Sequence, residues 1–103
     1  MKITEFTNLL NSLGVPVACN RFTSPQSTPF LIYMDVGSEN FGADNVTYFE
    51  SINIDVEVYT DRIDDDLEDR IKKLFDDNGI YYDWSRQWIS QEKIYQTTYE
   101  VTI

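Results

Sequence analysis

The chain has 103 residues, one Cys and no His, and 8 Lys plus Arg against 18 Asp plus Glu leave it with a net charge of −10. A chain of this length reads as one domain, residues 1–103, large enough to bury about two-thirds of its unfolded surface without staples. Its aromatic content of 15% argues against disorder, and no apolar run approaches the ~20 residues of a membrane span.

Residues 3–13 are predicted to be a helix, with Ile3, Phe6, Leu10 and Leu13 on one face and Leu9 beside it. Gly14 is the expected C-terminal stop, and Pro16 prevents continuation. Residues 16–23 are expected to form a first strand, and Ser24–Pro29, with two prolines, a loop. Residues 30–36 (Phe-Leu-Ile-Tyr-Met-Asp-Val) are nearly all apolar and read as a strand partly covered on both faces. Turn-forming residues fill 37–45, so a hairpin with a long loop is expected there.

Residues 46–59 carry the clearest strand pattern. Val46, Tyr48, Ile52, Ile54, Val56 and Val58 share one parity and Thr47, Ser51, Asn53, Asp55 and Glu57 the other, with Phe49 and Glu50 breaking the pattern. At ~3.3 Å per residue such a strand spans roughly 46 Å, far beyond the usual length. It must bend, carry a bulge or project from the body, and projection with a bend is the expectation.

Residues 64–78 are predicted to be a second helix. Asp64 is the expected N-cap, and Asp65, Asp66, Glu68 and Asp69 suit the positive end of the helix dipole. Leu67, Ile71, Leu74 and Phe75 form the buried stripe, Ile63 precedes them as a hydrophobic staple, and Gly79 ends the helix. Residues 80–103 read as two strands joined by a turn near Ser90-Gln91-Glu92, the last placing Tyr95, Thr97, Tyr99, Val101 and Ile103 on one face. The predicted fold is α+β in the order α-β-β-β-α-β-β: a mostly antiparallel sheet of about five strands with two helices on one face and a long projecting hairpin.

The missing residue types remove much chemistry. Without His there is no Ser-His or Cys-His nucleophile pair, no His-ligated zinc and no imidazole base. Cys19 has no second Cys to pair with, which suits a reducing cytosol, and no secretory signal is read in the Met-Lys-Ile-Thr-Glu-Phe start. The run Asp61–Asp69 does not fit a calcium loop: counted from Asp61, position six is Asp66 and position twelve is Lys72, where Gly and Glu are required. No carboxylate spacing singles out a hydrolytic pair. The chain therefore reads as a non-enzyme without metal or cofactor. The densest basic group, Arg70, Lys72 and Lys73, sits among Asp66, Glu68, Asp69, Asp76 and Asp77, which opposes free-standing nucleic-acid binding. Acidity still matters near DNA, because a negative wall repels a duplex.

Two features suggest contact surfaces. Tyr81, Tyr82, Trp84, Trp88, Tyr95 and Tyr99 cluster at alternating positions of the last hairpin, which is expected to set aromatics on both of its faces. Those not packed on the helices would be exposed, as at a protein interface. Phe41, beside Asn40 in the 37–45 segment, either anchors in a partner or folds back on its own sheet.

Several segments taken together carry a resemblance: Leu13–Ala18 after an amphipathic helix, Pro29–Tyr33, Gly37–Phe41 with Ala43–Asn45, Val58–Asp61 before an acidic helix, and Ile94–Glu100. With these the chain resembles the small tail-terminator, tail-completion or head–tail joining proteins of long-tailed phages and prophages of Gram-positive bacteria. The resemblance implies a subunit that assembles with itself into a ring, commonly a hexamer, between tail-tube and head-closure proteins. Such a ring stops tube growth, and DNA passes through it as cargo. It also implies a place in the virion tail after assembly in the bacterial host cytoplasm, with no membrane contact. Asn40, Phe41, Tyr82, Trp84, Trp88 and Tyr95 are the expected contact residues. The rival expectation, motivated by the net charge, is an acidic soluble regulatory binder that mimics DNA and inhibits a nucleic-acid enzyme.

Overall fold

In the computed structural model, which describes residues 1–43 and 46–103 and side chains outside 39–49, seven elements follow the predicted order. They are α1 (Ile3–Asn11), β1 (Val17–Cys19), β2 (Phe30–Ala43), β3 (Val46–Thr60), α2 (Asp65–Asp77), β4 (Tyr82–Ile89) and β5 (Ile94–Thr102). The strands form one sheet in the order β1-β2-β3-β5-β4. β1 runs parallel to β2 and every other neighbour is antiparallel.

Strand register explains the core. Leu31, Val58 and Thr97 lie in one row across the sheet, Tyr33, Val56 and Tyr99 in the next, then Ile54 and Val101. All are buried on one face. Phe6, Leu10 and Leu13 of the α1 segment and Leu67, Ile71 and Phe75 of α2 pack on that face. The Phe6 and Phe75 rings stack 6.0 Å apart, which joins the helices over the sheet. Arg70 of α2 donates to the Leu13 carbonyl, and the Thr7 and Tyr33 hydroxyls share a hydrogen bond of 2.7 Å that ties α1 to β2.

The ends of α2 follow their capping chemistry, although Ile63, the expected hydrophobic staple, remains half-exposed rather than packed on the helix. Asp64 accepts from the Leu67 amide at 3.1 Å, the predicted N-cap bond. At the other end the Ile80 amide bonds the Phe75 carbonyl and the Gly79 amide bonds that of Asp76, a Schellman closure with Gly79 at φ +65 and Ile80 returned to the core. α1 ends earlier than predicted, at Asn11 with Ser12 as its C-cap, because Leu13 and Gly14 form a further turn on the Leu10 and Asn11 carbonyls.

Two strand expectations are corrected. The first strand covers 17–19 rather than 16–23, since Asn20 turns the chain with φ +67 and its amide bonds Tyr33. The predicted loop at 37–45 is strand through Ala43, which pairs with Val46; Asp44 and Asn45 lie outside the described residues. Cross-strand hydrogen bonding to β3 overrides the turn-forming composition of 37–43. It does so with a bulge at Val36, where Gly37 adopts φ +142 and its amide bonds the Asp35 carboxylate at 3.1 Å.

The projecting hairpin is present. β5 reaches only to Ile52, whose amide and carbonyl both bond Ile103. Val46–Ser51 of β3 and the facing part of β2 continue as a two-stranded arm of roughly 20 Å at about 3.4 Å per residue. The extents of 51 × 26 × 22 Å and the radius of gyration of 14.9 Å record this elongation, against about 13 Å for a compact chain of this length.

Phe75 of α2 touches Phe6 of α1 and two sheet tyrosines, Tyr82 and Tyr99. Phe75→Ala should lower the free energy of urea unfolding by about 3–5 kcal/mol. Asp64→Ala should cost about 1 kcal/mol.

Candidate functional site

The aromatic cluster sits on β4, an outer strand of the sheet. Ile89 pairs with Ile94, so even-numbered β4 residues face odd-numbered β5 residues. Trp84 therefore lies opposite Tyr99, and Trp88 opposite Tyr95, on the helix side. This corrects the expectation that the aromatics occupy both faces: Tyr82, Trp84, Trp88, Tyr95 and Tyr99 share one, and Tyr81 lies just outside the strand. Registers of this kind follow from the length of a turn, which composition does not reveal.

Helix α2 covers this face unevenly. Tyr99 is buried against Phe75, Tyr82 and Tyr95 are half-buried, and Trp84 and Trp88 remain 46% and 50% exposed. Trp88 leans on Tyr95 with ring centres 4.8 Å apart. Four of the expected contact residues, Tyr82, Trp84, Trp88 and Tyr95, thus come together on one hairpin face. Asn40 and Phe41 belong to the arm by their backbone, and their side chains lie outside the described residues.

Residue-type reasoning missed the cations around Trp84. The Lys72 ammonium lies 4.9 Å and the Arg86 guanidinium 5.0 Å from its ring centre. Arg86 also pairs with Glu68 of α2, which is 7% exposed, and donates from Nε to Thr97 Oγ1 at 3.2 Å. Glu68 would be costly to bury without that partner. The parity of Trp84, Arg86 and Trp88 hinted at this grouping, but the Lys72 contact needed the packing of α2.

The opposite sheet face carries no helix. At one end Phe22 meets Phe30 edge-on and Phe30 stacks on Tyr59 at 4.9 Å. Glu57 accepts from the Tyr59 hydroxyl and from Gln96 Nε2, both at 2.9 Å. Further along, Asp55, Glu100 and Asp83 stand directly opposite one another on β3, β5 and β4. This carboxylate row borders a shallow depression with Asn53, Thr102 and Tyr81. Among the described residues, no group of three Asp, Glu, Cys or His side chains converges as metal ligands would, and no helix is long and apolar enough to cross a membrane.

The Tyr99 hydroxyl is buried without a hydrogen-bond partner among the described residues. Burial, reinforced by the Glu68 charge, raises its pKa well above the usual tyrosine value; burial and the Glu57 bond raise that of Tyr59. A raised pKa means the folded chain holds protons that the unfolded chain releases. Stability is therefore full below about pH 10 and should fall as pH rises beyond it. Tyr99→Phe should flatten that decline in denaturation measured against pH. It should cost no stability at neutral pH and gain up to about 1 kcal/mol, because it removes an unbonded buried hydroxyl. No protein-family model matches the chain, and no curated protein matches its sequence.

Proposed function

We propose that the chain is a self-assembling structural subunit of a phage tail, a tail-terminator or head–tail joining protein whose ring caps the tail tube and lets DNA pass. The arm carries this reading. A two-stranded ribbon is marginal by itself in water, yet β2 and β3 extend past the last residue that β5 supports. Such an extension suits a protein that gains its remaining contacts from neighbours. The free β4 strand with half-exposed Trp84 and Trp88 supplies a complementary surface. The partners are further copies, the tail-tube protein and the head-closure protein, and the place of action is the virion tail, after assembly in the host cytoplasm.

The carboxylate row suits the wall of the ring's bore. Affinity for DNA comes from Lys and Arg that displace counterions. Asp55, Glu100 and Asp83 on an uncovered face repel phosphates, so a duplex threads past without adhering. The same row also favours a second reading, an acidic DNA-mimic inhibitor. The two part on genetic context and on where the protein is found: flanking tail-tube and head-closure genes and a place in virions support the joint, whereas a defence context and binding to a nuclease support the mimic.

Host cells making phage without this protein should yield tails of uncontrolled length and unjoined heads by electron microscopy; normal virions would defeat the proposal. Phe41→Asp should leave the thermal unfolding of the isolated subunit unchanged and block joining. In assembled tails, the surface facing the bore should hold Asp55, Glu100 and Asp83, and a bore lined with Lys and Arg would overturn the assignment of that face.

A further inference from the structure

Resting on the self-assembly reading, we infer that the arm of one copy adds its free β2 edge to the β4 edge of the next copy. Both edges are open in the described backbone. β4 is the last strand on its side of the sheet, and its pairing with β5 runs without a register shift from Tyr82 to Ile89. It has no proline, no glycine and no bulge to discourage a further strand, and it exposes Trp84 and Trp88. β1 covers β2 only over Leu31–Tyr33, so the outer edge of β2 is free from Met34 to Ala43.

Charge chooses the occupant. Copies with a net charge of −10 repel each other over most of their surface. From residue 22 to residue 61 the chain has no Lys or Arg, and the described strands of the hairpin carry Asp35, Glu39 and Glu50. On the helix side of β4 the fold sets Lys72 and Arg86 over Trp84, while Asp83 of β4 points to the other face and Asp76 borders the far end of the strand. Arg86 is neutralised by Glu68, which leaves Lys72 to attract an acidic strand. Pairing β4 with a second β4 would instead set Lys72 and Arg86 near their own copies. An arm-to-edge contact joins different surfaces of two copies, so it propagates head to tail and closes as a ring if the rotation permits.

Single-cysteine chains test this. In a Cys19→Ser background, one full-length preparation carries Ser38→Cys on β2 and a mass-tagged second carries Ser85→Cys on β4. The mixture is treated with a short bis-maleimide and analysed by mass spectrometry beside sedimentation of the unmodified chain. The 38–85 adduct should exceed the 85–85 adduct at least about tenfold, and Lys72→Glu should reduce it several-fold without shifting thermal unfolding. A dominant 85–85 adduct would overturn the inference in favour of a symmetric edge dimer. Higher oligomers without the 38–85 adduct would overturn the pairing and leave the assembly reading standing. The adduct in a closed dimer alone would support the pairing and remove the ring. A chain that stays monomeric and forms no adduct on tail-tube protein or in solution would defeat both.

Discussion

The structure depends on a mismatch in length around its central strand. β3 spans fifteen residues, while β5, its neighbour on one side, spans nine. Within the shared stretch, Ile54, Val56 and Val58 are buried under both helices and hold the body together. Outside it, β3 has only β2 for support. One continuous run of alternating residues thus belongs to a packed core at one end and to a projecting arm at the other. The bulge at Val36 lies near this boundary and re-aims the β2 side chains where helix cover ends.

The β4 edge arises from a related limit on coverage. Helix α2 is thirteen residues long, and its apolar stripe shelters Tyr99 while leaving Trp84 and Trp88 half in solvent. Lys72 and Arg86 cap the Trp84 ring, and the buried Glu68 holds Arg86 in place. On a chain this acidic, two cations held over an exposed apolar ring are a local exception to the overall charge. The uncovered sheet face is the opposite case: its register lines up Asp55, Glu100 and Asp83, and three carboxylates without a cation among them repel phosphates.

Much of the fold was legible because periodicity and capping are local. The Ile54, Val56, Val58 alternation, the Leu67, Ile71, Phe75 spacing, and Asp64 and Gly79 at the ends of α2 each name their element without a partner. The segment 37–43 was not legible. Its glycines, Ser and Asn favour turns, and they form strand because β3 supplies a ladder that local preference cannot anticipate. Of the candidate contact residues, Tyr82, Trp84, Trp88 and Tyr95 were nameable as an aromatic cluster, but their common face was not. That depends on the pairing of Ile89 with Ile94.

By itself the sequence determined the element order, the core residues of both helices, the strong net charge and the absence of histidine chemistry, since each is a matter of residue type and local spacing. The tertiary structure decided which strands are edges, where the arm leaves the body, and which charges meet: Lys72 with Trp84, Arg86 with Glu68, and Asp55 beside Glu100 and Asp83. These are relations between residues far apart in the chain, set by strand register and by the reach of a helix over a sheet, so no local pattern encodes them.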